Sequence, residues 1–172
     1  MLGLERGTVR IEPHQREWSV LFDSEAARLR SALGDRILAI EHVGSTAVEG
    51  LAAKPVLDIL VLVADEADTK ACVEPLEELG YEHRDDDPVP DRYFLAKGPS
   101  YGRTHYCSVT PRGSDTHHDQ IDFRDHLRSH PEVAREYEQL KRDLASEHPD
   151  NRRAYTAKKA RFIRNVLENA RS

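Results

Sequence analysis

The sequence predicts an α+β domain in which a small mixed β-sheet is packed with N- and C-terminal helices. Three observations lead there. Apolar residues recur at helical spacing at both ends of the chain, short strand-like runs occupy the middle, and no repeat or linker divides it. At 172 residues the chain matches one domain, 1–172, long enough to bury a core without disulfides or a structural metal. A doubly wound sheet would need more regular strand–helix alternation, and a sandwich many more strands.

The elements follow in order. Trp18, Leu21, Phe22, Leu29 and Leu33 mark an amphipathic helix, with Pro13 suited to its first turn and Gly34 to its end. Ile37–Val43 reads as a strand stopped by Gly44-Ser45, and a turn-rich stretch with room for a helical turn runs through Gly50. Residues 56–63 are almost continuously apolar, interrupted by Asp58, as suits a strand buried on both faces. Residues 66–80 read as a second helix ending at Gly80, and 84–90 as a surface loop carrying Asp85-Asp86-Asp87 and two prolines. Short strands are expected at 92–96 and 104–109, with Gly98-Pro99 turning between them. From His117 onward the chain turns helical, with the apolar stripe Phe123, Leu127, Val133, Tyr137, Leu140, Leu144 broken at Pro131. A last helix carries Tyr155, Phe162, Ile163, Val166 and Leu167.

Acidic side chains outnumber basic ones 31 to 25, giving a formal charge of −6. That balance argues against affinity for extended nucleic acid or an anionic membrane, while leaving room for a local basic pocket. There is no apolar run near the roughly 20 residues of a membrane span and no basic-then-apolar leader. Cys72 and Cys107 lie far apart and form no Cys-x-x-Cys pair, so a reduced, cytoplasmic protein is expected.

Chemistry concentrates between His42 and Asp58. Glycine after a strand lets backbone N–H groups converge into a nest for phosphate oxygens, Ser45 and Thr46 add hydroxyls, and Lys54 adds a point charge. If the two strands are adjacent, Asp58 lies beside that nest, where a divalent ion can bridge it to a ligand. A lone carboxylate in an apolar strand has three explanations: a metal, a pair with Lys54, or structural hydrogen bonds. The Walker spacing Gly-x-x-x-x-Gly-Lys-Ser/Thr is absent, which leaves no basis for P-loop kinase activity.

The strand, Gly-Ser turn, short connection and strand-borne Asp resemble the nucleotidyltransferase fold of the polymerase-beta type. More closely, residues 42–58 resemble the signature of the GrpB family within it. The resemblance continues through Phe123-Arg124-Asp125-His126-Leu127-Arg128-Ser129-His130-Pro131, residues 137–144, and Tyr155, Lys158, Phe162 and Ile163. It implies a nucleotidyltransferase-like core with Gly44-Ser45 at the phosphate position and Asp58 at a metal position. Active relatives of that superfamily place two carboxylates two residues apart on this strand, and here Leu60 stands at the second place.

Histidine is the expected compensation: His42 as a catalytic group beside the turn, and His105 as a metal ligand with Asp58. His117 and His118 are weaker candidates, and Cys107 is a soft ligand or core filling. Arg124 is the better phosphate-binding candidate of the pair Arg124 and Arg128, while Asp125 suits an ion pair with Arg128. Lys158 either pairs with an acidic neighbour or reaches ligand phosphate. The expected function is a nucleotidyltransferase-like enzyme acting on a nucleotide or phosphorylated small molecule with a divalent metal, Mg²⁺ or Mn²⁺, or else a transition metal. The alternatives are a non-catalytic binding module of the same fold, and a metal enzyme of different chemistry using Asp58, His42 and His105.

Overall fold

The computed structural model describes residues 2–4 and 9–172. Helix α1 (Glu17–Leu33) runs into a 3₁₀ turn and strand β1 (Ile37–Val43). Pro13 lies ahead of the helix instead of in its first turn. After a 3₁₀ turn at Ser45–Ala47 comes β2 (Leu57–Val63), then two short helices, α2 (Glu66–Ala71) and α3 (Val73–Glu78). The single helix expected over 66–80 is split because Pro75 has no N–H to give the Ala71 carbonyl and its ring crowds that turn. Strands β3 (Tyr81–His83), β4 (Tyr93–Lys97) and β5 (His105–Pro111) follow, then helices α4 (Asp115–Ser129), α5 (Pro131–Glu147) and α6 (Arg152–Arg171).

The sheet has the order β1-β2-β5-β4-β3 and is mixed: β2 and β5 run parallel, and the other neighbours are antiparallel. Side-chain alternation gives it two different faces. Ile59, Val61, Val63, Cys107 and Val109 point to the α1–α3 side, where they pack with Ala26, Leu29, Leu33 and Leu76 in the main core. Leu60 and Leu62 point the other way, with Val43 and the partly buried Ile121 of α4. Beyond them α4, α5 and α6 form their own apolar cluster around Phe123, Leu127, Tyr137 and Val166. The helical layer therefore stands partly on its own core, and a space remains between it and the sheet. Among the described residues no helix is long and apolar enough to cross a membrane.

Candidate functional site

Asp58 sits near the start of β2, opposite Val43, the last residue of β1. The chain leaves β1 through Gly44 at φ 73°, and a Cβ there would collide with Asp58 Oδ2. The turn and the close approach both demand glycine. Two arginines of α4 hold this turn by its backbone. Arg128 donates to the Ala47 carbonyl from Nε at 3.0 Å and Nη2 at 2.8 Å. Arg124 Nη1 donates to the His42 carbonyl at 3.1 Å and to the Glu41 carboxylate at 2.7 Å.

The turn walls a cavity of about 330 Å³ between the sheet and the C-terminal helices. Strand alternation puts Asp58, Tyr106 and Ser108 on its floor, since Asp58 pairs with Tyr106 and Leu60 with Ser108. Arg92 enters from the side, stacked on Phe94 with its guanidinium carbon 4.6 Å from the ring centroid. Its charge is already met, because Nε and Nη2 both donate to the Asp87 carboxylate at 2.8 Å.

Three lysines reach the same cavity: Lys54 from the approach to β2, Lys141 from α5 and Lys159 from α6. Lys141 is 1% exposed, donates to the Ala52 carbonyl at 2.5 Å, and lies over the Tyr137 ring at 4.8 Å. Lys159 and Lys54 flank the Tyr155 ring at 5.4 and 5.3 Å. Among the described residues none of the three is within ion-pair distance of a carboxylate. Burial, then the charge of Lys159, pushes the Lys54 ammonium well below its ordinary range, with Asp58 pulling the other way. Lys141 is depressed for the same two reasons. Burial pushes the Asp58 carboxyl up, and Lys54 and Lys159 oppose it. Cations outnumber anions here in a poorly solvated space, which is an arrangement suited to an anionic ligand.

The GrpB protein family profile matches residues 8–169. The chain belongs to the GrpB family. The glutamate-rich protein GrpB of Alkalihalophilus pseudofirmus is 36% identical over 97% of this chain and 98% of its own length. The crystal structure of conserved protein GrpB from Enterococcus faecalis superposes with a TM-score of 0.84 at 31% identity, covering 95% of this chain and 100% of that one. Cid1 poly(U) polymerase superposes with a TM-score of 0.52 at 16% identity, over 79% of this chain and 44% of that chain, a likeness of fold. The fold of the core is thus nucleotidyltransferase-like.

Within this GrpB chain the expected site residues separate. Gly44, Ser45, Thr46, Lys54 and Asp58 share the cavity. His42 and His105 do not join Asp58. His42 lies opposite Ile59 and His105 opposite Leu57, so both rings project from the other face of the sheet. His42 stacks on Phe22 at 4.6 Å and its Nε2 is 2.8 Å from Thr46 Oγ1; burial, then the charges of Arg128 and Arg124, push its pKa down to about 4. His105 is hydrogen-bonded to Thr104 at 2.7 Å and lies 4.0 Å from Glu25, with burial taking it to about 4 as well. Neither ring is brought within reach of a common ion with Asp58.

Arg124 is likewise outside the cavity, occupied with Glu41, the His42 carbonyl and Asp125, so it positions the turn instead of meeting a ligand. Asp125 pairs with Arg124 at 3.0 Å and not with Arg128. Lys158 faces solvent, 3.7 Å from Glu147. Cys107 is core filling, its thiol pushed up by burial. His117 and His118 stack on each other at 5.2 Å in the first turn of α4, away from the cavity lining.

The protein's own donors do not fit a two-ion centre. Leu60 stands on β2 where the resemblance implies a second carboxylate, and the other carboxylate lining the cavity, Asp119, is paired with Arg171 at 2.9 Å. Among the described residues no group of three or more His, Cys, Asp or Glu is placed to hold a metal ion. What sequence reasoning missed are Lys141 and Lys159. A signal was present: each falls four residues after a buried tyrosine, within an apolar helical stripe.

Proposed function

We propose that the cavity binds a nucleotide or a related phosphorylated small molecule, with its phosphate between the Gly44-Ser45 turn and the lysines. The observation that carries this reading is the convergence of Lys54, Lys141 and Lys159 on one cavity beside a glycine turn held open by two arginines. Turn N–H groups and ammonium groups both complement phosphate oxygens. Aromatic side chains Phe94, Tyr106 and Phe123 line the same space and add apolar surface for a base or sugar.

Asp58 favours a second reading, nucleotidyl transfer, because it occupies the strand position that the resemblance implies for a metal ligand, on a fold like that of nucleotidyltransferases. Binding comes first in the test. Calorimetric titration with nucleoside mono-, di- and triphosphates, in buffer containing Mg²⁺, is expected to show saturable binding that Lys159→Met weakens and Lys158→Met leaves alone. Labelled-nucleotide incorporation then tests transfer. A folded protein that binds none of these compounds would overturn the proposal.

A further inference from the structure

Nucleotidyl transfer by the two-ion route lets divalent cations carry the positive charge that meets the phosphates. This cavity lacks the carboxylates to hold two such ions and is instead furnished with cations of its own. We infer that Lys54, Lys141 and Lys159 take over the metal's role, making the cavity a metal-independent site for a dianionic phosphate monoester. The inference rests on the proposed phosphate-ligand reading and names the ligand's charge state within it.

Charge matching selects the ligand class. Arg92 is neutralised by Asp87 and Asp119 by Arg171, which leaves three lysines facing Asp58. Protonated, the form a bound anion favours, they carry an excess of two positive charges over an ionised Asp58, and a phosphate monoester carries roughly −1.5 to −2 at pH 7. A free triphosphate brings about twice that charge, more than the three lysines offset, and Asp58 is the one cavity carboxylate not paired with an arginine that could share in holding a balancing ion. Size points the same way, since about 330 Å³ lies at the small end of ligand pockets, which run roughly 300–1,000 Å³. Lys141 is the strongest single indication. Among the described residues the buried Lys141 ammonium has the Ala52 carbonyl as its one hydrogen-bond partner, which is expensive to keep unless something anionic visits it. Its neighbours repeat the theme: Lys159 repels both other lysines, and a bound dianion would relieve that repulsion.

The test compares nucleoside 5′-monophosphates with their parent nucleosides, in EDTA and in Mg²⁺, on wild type, Lys159→Met, Lys141→Met and Asp58→Asn. The inference expects the monophosphate to bind with the same Kd in EDTA and Mg²⁺ and the nucleoside to bind far more weakly. Each lysine variant should lose about tenfold or more in affinity, the usual consequence of deleting a charge-assisted contact. Asp58→Asn should bind as tightly as wild type or tighter, because it removes a negative charge facing the anion. Lys159 is only partly buried, so its variant remains informative if Lys141→Met does not fold. Binding that requires Mg²⁺, or that vanishes in Asp58→Asn, overturns the metal-free assignment while leaving the nucleotide reading standing. Equal binding of nucleoside and monophosphate also overturns it. Failure of every phosphorylated compound to bind in either buffer removes the nucleotide reading itself.

Discussion

On the α1 face of the sheet, the Glu25 carboxylate accepts from Tyr81 Oη at 2.6 Å and from Lys97 Nζ at 2.8 Å, with His105 close by. On the opposite face, Lys54, Lys141 and Lys159 are grouped around Asp58 with no ion pair among the described residues. Both clusters are poorly solvated and both mix lysine with a carboxylate. In the first, burial opposes ionisation of Glu25, yet its hydrogen bonds from Lys97 and Tyr81 hold the carboxyl below its usual range. In the second, burial prevails and pushes acid and base toward their neutral forms. A cluster whose members satisfy one another is structural; a cluster left short of counter-charge beside a cavity is one that the proposed anionic ligand would complete.

The broadest way to sharpen this contrast is pH. His42 and His105 are held near 4 in the folded chain and return to about 6.5 when unfolded. The unfolded state therefore binds more protons between those values. The stability these neutral rings contribute is complete above pH 6.5 and is lost as pH falls toward 4, on the order of 3 kcal/mol for each ring. Urea unfolding at pH 7, 6 and 5 should show the decline, and His42→Gln should have a shallower slope than wild type. An identical slope in the variant would break the assignment of His42 as a buried neutral ring.

Next in size is the paired cluster. Glu25→Gln leaves Lys97 without its counter-charge and should cost about 3 kcal/mol, since removing one partner strands the other. Nucleotide binding by the folded fraction should be untouched, because the cluster lies across the sheet. Gly44→Ala is expected to cost about 2 kcal/mol, from a positive φ and a Cβ driven against Asp58. Unlike Glu25→Gln, it should also abolish ligand binding, which calorimetry on the folded variant would read. The smallest effect has the opposite sign. Lys141→Met should raise ligand-free stability by roughly 1 kcal/mol, because it replaces a buried amine that has no carboxylate partner among the described residues with an apolar side chain. A loss of stability would mean that the Ala52 carbonyl needs that ammonium more than the cavity suffers from it.

The order of elements was readable in the residues, and β1 was expected over the span it occupies, because its flanks carry glycines and its interior is apolar. The three-residue β3 was not, as too short a run to show a period. The meeting of Gly44 with Asp58 followed once the two strands were taken as neighbours. The placement of His42 and His105 did not, because it depends on register: a shift of one residue exchanges faces, and the chain between the paired strands, 44–56 for His42 and 64–104 for His105, sets that register. Arg92 had no local signal at all, its partner Asp87 being part of a loop that reads as solvated acid. Arg124 was expected to meet phosphate; its acceptors are instead the neighbouring Asp125 and, across 82 and 83 residues of sequence, the His42 carbonyl and Glu41.

Two of the cavity lysines share a construction. Lys141 lies over Tyr137 and Lys159 over Tyr155, each ring one helical turn earlier on the same helix. A tyrosine ring offers a cation its electron-rich face, so each helix can carry an ammonium on a stripe otherwise reserved for packing. Within the family, each tyrosine and its lysine should then be inherited as a unit. A lineage that replaces the lysine with leucine releases the tyrosine to become phenylalanine, and the two exchanges together would mark chains that have given up the anion.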